Sequence, residues 1–98
     1  ERVEELARQI LQIDAESALA AYELGLVLLR RGRGAEALEW AERGATLDPR
    51  DPRHLLLQGD IHRRGSRLGV AREKWQACLL LNPRYTPCQR RLDETAGL

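Results

Sequence analysis

Sliding the chain against itself by 34 residues places Gly25 on Gly59, Ala37 on Ala71, Leu47 on Leu81 and Pro49 on Pro83, with Arg30 on Arg64 and Arg33 on Arg67. A repeat constrains a fold more tightly than any single motif, because each unit must bury its apolar face against a neighbouring copy. The unit reads as two helices. Residues 18–31 carry Ala21, Leu24, Gly25 and Leu28 at i, i+3, i+4, i+7. Residues 35–47 align Ala37, Leu38, Ala41, Gly44, Ala45 and Leu47, and residues 69–81 align Ala71, Trp75, Cys78, Leu79 and Leu81. Gly-containing breaks, RGRG at 31–34 and RGSRLG at 64–69, separate the helices of each pair. Between pairs, LDPRDP at 47–52 stops one helix at Pro49 and starts the next, with Asp51 as cap and Pro52 at the first helical position. Small residues at Gly25, Gly59 and Ala37 let two antiparallel helices approach closely.

A length of 98 residues suits one small domain with a thin core. No apolar run approaches the ~18 residues of a membrane span, so no membrane insertion by this segment is expected. The chain starts at Glu1, without Met and inside a helical pattern, which leads us to expect a piece of a longer polypeptide. The net charge of +1 gives no global field for nucleic acid, and there are few aromatics to stack on bases. Two cysteines are too few for a disulfide scaffold and wrongly spaced for zinc. Cys78 reads as a small core residue.

A helical hairpin of 34 residues with these small residues and a closing proline resembles the tetratricopeptide repeat. YELG at 22–25 fits the family's first-helix cluster, whereas LLQG at 56–59 departs from it at Gln58. The resemblance covers nearly the whole chain. It divides residues 1–98 into the second helix of a partial repeat (1–13), two repeats (18–51 and 52–85) and a capping helix (86–97). The first of these carries Val3, Ala7, Ile10, Leu11 and Ile13 in phase, and the last carries Cys88, Leu92 and Ala96. The implied fold is all-α, a right-handed superhelical solenoid of antiparallel hairpins, and five helices are expected.

No catalytic set emerges. His54 and His62 lie eight apart, too far to chelate together, and neither cysteine neighbours a histidine. No catalytic residue, cofactor or metal site is therefore expected. A second apolar line on the helix at 18–31, Leu19, Tyr22, Leu26 and Leu29, has two readings: the floor of a ligand groove, or packing against another helix upstream. In the family, the first helix of each hairpin lines a concave surface that holds partner peptides. Carried over, Tyr22, Leu26 and Leu29 become groove floor, continued by Arg53, Leu56, Asp60, Arg63 and Arg64, and by Arg90, Arg91 and Glu94 on the last helix. Such a groove grades from apolar to cationic and suits a peptide or protein with apolar anchors and acidic residues. The turn arginines, Arg30, Arg31 and Arg33 with Arg63, Arg64 and Arg67, serve either the helix dipole or an acidic partner. The expected role is a protein-interaction module within an assembly or adaptor protein. The alternatives are a spacer, self-association through the open N-terminal helix, or an accessory domain of an enzyme whose active site lies elsewhere.

Overall fold

The computed structural model describes residues 2–98. Six helices follow one another: α1 Arg2–Ile13, α2 Ala18–Arg30, α3 Gly34–Leu47, α4 Pro52–Arg64, α5 Leu68–Leu81 and α6 Thr86–Glu94. No strand occurs among the described residues. The expected count of five is thus one short: two hairpins supply four helices, and each flank adds one.

The two hairpin turns are built alike. Gly32, at φ 78°, and Ser66, at φ 61°, occupy the same left-handed position one repeat apart. In each turn the residue after it donates its backbone N–H to a carbonyl five residues back, Arg33 to Leu28 and Arg67 to His62, both at 2.9 Å. These bonds satisfy carbonyls that the helix end leaves open and reverse the chain. At the other corners Ser17 and Asp51 cap α2 and α4 by accepting N–H bonds from Ala20 and Arg53, and Pro52 opens α4 as expected.

Packing follows the repeat. Gly25 of α2 lies against Ala37 and Ala41 of α3 and Leu57 of α4, where a Cβ would already be tight. Gly59 of α4 lies against the Trp75 indole of α5, where a Cβ would collide with the ring. Two apolar clusters result. One gathers Ala7, Leu24, Val27, Leu28, Ala37, Ala41, Leu57 and Ile61. The other gathers Ala71, Trp75, Cys78, Cys88 and Leu92.

Several expected core positions differ. Val3, Ile10 and Ile13 of α1 are exposed, and only Ala7 of that stripe is buried, because one side of α1 has no neighbouring helix among the described residues. Leu81 is exposed at the end of α5. Ala96 is exposed because α6 ends at Glu94, and Thr95 turns inward instead, bonded by Arg72 and to the carbonyls of Arg91 and Leu92.

Cys78 is a small core residue as expected, and it also forms a disulfide with Cys88, with Cα atoms 6.4 Å apart, which the sequence reading does not anticipate. The repeat gives the geometric reason. Positions ten residues apart face each other across every corner between hairpins: Ile10 and Ala20 line one groove, Gly44 and His54 touch, and Cys78 and Cys88 are bonded. The bridge therefore ties α5 to α6 at a contact that the fold makes anyway.

Several of the turn arginines are engaged within the chain. Glu4 of α1 accepts bonds from Arg8 at 2.9 Å, Arg31 at 2.6 Å and Arg33 at 3.3 Å, and Glu36 pairs with Arg8 and Arg33. Arg67 instead donates to His62 Nδ1 at 2.9 Å. The two turn clusters therefore do not form one free cationic edge. The Arg8 hydrogen bond, then that of Arg31, lowers the Glu4 carboxyl from 4.5 to about 2. A depressed carboxylate stabilises the fold above its unfolded value, and that stabilisation fades as pH falls toward the folded one. Acid titration should therefore loosen α1 between about pH 4.5 and 2. Hydrogen exchange of α1 amides should register this, and Glu4→Gln should reduce the pH dependence in that window, leaving the part that the Glu36–Arg8 pair contributes.

Candidate functional site: one face of α2, α4 and α6

Arg53, at the start of α4, lies over the Tyr22 ring near the start of α2, with 5.1 Å from the guanidinium carbon to the ring centroid. Leu29 and Arg64, at the C-terminal ends of the same helices, line one cavity. The two helices therefore run side by side in the same direction. α6 extends the row, since Arg91 reaches Asp60 of α4 at 3.0 Å.

The row has an aromatic end and a cationic end. At the first stand Tyr22, Arg53 and Tyr85, half-buried. Burial pushes both phenols above their ordinary pKa. Arg53 is held in place by Asp51, which accepts from its Nη2 at 2.7 Å and its Nε at 3.0 Å. Those hydrogen bonds hold the Asp51 carboxyl below its usual range. Leu26 and Leu56 are half-buried between the ends. At the other end Leu29, Asp60, Arg63, Arg64 and Arg91 line an open cavity of about 340 Å³.

Of the residues singled out from sequence, Leu29, Asp60, Arg63, Arg64 and Arg91 are thus brought together. Leu29 is the most enclosed of them, at 7 % exposure, and forms a wall. Arg90 is exposed and does not line this cavity; its neighbour Arg91 does. Helical spacing alone could not separate two adjacent arginines, whereas the Asp60 contact does. Leu19, taken as part of the same apolar line, belongs to a different groove beside α1.

The cationic end is also less positive than the arginine count suggests. Arg91 pairs with Asp60 at 3.0 Å and Arg63 with Glu94 at 3.6 Å. Arg64 has no ion-pair partner among the described residues and is exposed. An incoming carboxylate would meet Arg64 directly and would compete with Asp60 and Glu94 for the other two.

The remaining sequence candidates sit elsewhere. Trp40 is half-buried, with Arg43 lying 6.0 Å from its ring, and it forms a shallow hollow with Arg8, Leu11 and Gln12 of α1. His62 is tied to Arg67. His54 is 1 % exposed beneath Tyr22, with ring centroids 5.9 Å apart, and burial pushes its imidazole below the ordinary value. Among the described residues no helix is long and apolar enough to cross a membrane. Comparison of the sequence with models of protein families gives no match, and comparison with curated proteins gives none either.

Proposed function

We propose that this chain is part of a right-handed superhelical solenoid of tetratricopeptide type, acting as a protein-interaction module. Its partner is an extended peptide laid across α2, α4 and α6. The observation that carries the reading is the shared cavity at the C-terminal end of that row, where an apolar wall, Leu29, adjoins Arg63, Arg64 and Arg91. Apolar anchors pack along Leu26 and Leu56, and an acidic residue of the peptide is received by Arg64. The 34-residue spacing of like turns and like close contacts supports the solenoid.

Two classes of variant test the groove. Tyr22→Ala or Leu26→Ala removes apolar contact and should weaken binding by ~1–3 kcal/mol, nearly independent of salt. Arg64→Ala removes an exposed charge, and its smaller loss should fade as salt rises. Arg90→Ala should leave affinity unchanged, because its side chain lies outside the cavity. Isothermal titration with a hit from a peptide library, at two salt concentrations, measures all of these. Equal losses at every position, Arg90 included, would refute the groove.

A second reading, self-association, is favoured by one specific feature. Val3, Leu6, Ala7 and Ile10 of α1 with Leu19, Ala20 and Glu23 of α2 line an open, mainly apolar groove of about 310 Å³. One repeat later the equivalent groove, between α3 and α4, is filled by α2. If a second copy covers this face, Ile10→Glu should weaken association by roughly tenfold or more, with helicity retained. Sedimentation equilibrium would show it, and a chain that stays monomeric at millimolar concentration would end this reading.

A further inference from the structure

The corner between α3 and α4 holds the one buried imidazole of the chain. His54 is 1 % exposed, and neither ring nitrogen has a hydrogen-bond partner among the described residues. Its ring fills the notch left by Gly44, where a Cβ would stand 2.6 Å from Nδ1. Filling that notch explains the size of the side chain but not its polarity, since an apolar ring would avoid burying two unpaired nitrogens. The other nitrogen, Nε2, lies 4.0 Å from Asp51 Oδ2. The ligand atoms of Asp48, Asp51 and His54 all lie within 4.8 Å of one another.

We propose that Asp48, Asp51 and His54 form a binding site for a divalent transition ion of the zinc type. An imidazole nitrogen with two carboxylate oxygens is a donor set such ions accept, with a fourth position open to water or a ligand. In a tetrahedral site the donors sit roughly 3.4 Å apart, so the set must close by about an ångström. Asp48, which is exposed and makes no side-chain hydrogen bond among the described residues, is free to supply that movement. Arg53 does not compete for the ion. Its bonds to both Asp51 oxygens fix the carboxylate's orientation, as outer partners of metal ligands commonly do, with Oδ2 standing 4.0 Å from His54 Nε2.

The repeat supplies an internal control. The equivalent corner residues are Asp14, Ser17 and Ala20 in one copy and Asn82, Tyr85 and Cys88 in the other. Asp14 and Asn82 accept backbone N–H bonds from the residue two places on, at 3.0 and 3.1 Å, which consumes the oxygen that Asp48 keeps. Neither of those corners carries a histidine. The cysteines are bonded to each other and do not compete for the ion.

Calorimetric titration of the whole chain with zinc chloride in metal-free buffer tests the proposal. One equivalent should bind and raise the melting temperature. Asp48→Asn and His54→Gln should each weaken binding by roughly tenfold or more, and His62→Gln should leave it unchanged. Asp48→Asn is the deciding variant, because an exposed side chain can lose its charge without disturbing the fold, which circular dichroism verifies. Unaltered affinity in Asp48→Asn, a loss that follows His62 alone, or no binding at millimolar zinc would each overturn the site.

Discussion

Trp75→Ala should lower the unfolding free energy by about 3–5 kcal/mol, the largest effect expected of any single substitution here. The indole is fully buried and anchors the second apolar cluster, packed on Gly59 of α4 and grouped with Ala71, Cys78, Cys88 and Leu92. Removing it opens a cavity that α4, α5 and α6 must close together. Gly59→Leu attacks the same contact from the opposite side. Its Cβ would stand within 2.8 Å of three indole atoms, so the ring must leave its place, at a cost toward the upper end of the ~1–3 kcal/mol typical of overpacking. Gly25→Leu meets the Leu57 methyl and the Ala37 carbonyl at 3.1 and 3.3 Å and should cost less. Trp40→Ala, at a half-buried site, should cost less again. Urea melts followed by circular dichroism would rank the four. A Trp75→Ala protein as stable as its parent would mean that the second hairpin does not pack through this ring.

Loss of the Cys78–Cys88 bridge is expected to have the second largest effect. The two half-cystines are ten residues apart in sequence. The loop-closure entropy of a crosslink that short corresponds to about 2–3 kcal/mol. Cys88→Ala should show it in denaturant melts, with the loss concentrated in α6, whose remaining ties are Leu92 in the apolar cluster, Thr95 bonded by Arg72, and Arg91 on Asp60. Because both cysteines are buried, reductant should act on the native protein slowly and through partial opening. Melts with and without dithiothreitol that coincide would show the bridge contributing nothing.

The two effects also bear on the proposed groove in different ways. Trp75 lies behind the row of α2, α4 and α6, so its loss weakens binding only by unfolding the domain. The bridge positions α6, and with it Arg91, so its loss should weaken a peptide's acidic contact while the apolar anchors at Leu26 and Leu56 persist.

What the sequence determined is local. The 34-residue step, the helical segments (though counted as five, not six), the Asp51–Pro52 start of α4 and the chain reversals at 31–34 and 64–69 depend on residues within one or two turns of each other. Caps, glycine and proline act at that range. The all-helical class followed from the same periodicity. What only the tertiary structure decided involves partners far apart in sequence. Glu4 gathers Arg31 and Arg33 from 27 and 29 residues away, and Asp60 takes Arg91, not Arg90, from 31 residues away. The cysteine pair, only ten residues apart, was hidden for another reason: neither residue is unusual on its own helix and only the corner brings them face to face. Val3, Ile10 and Ile13 share an apolar stripe with Ala7, yet only Ala7 is buried. An amphipathic pattern says which residues can be covered, whereas coverage depends on where the next helix lies.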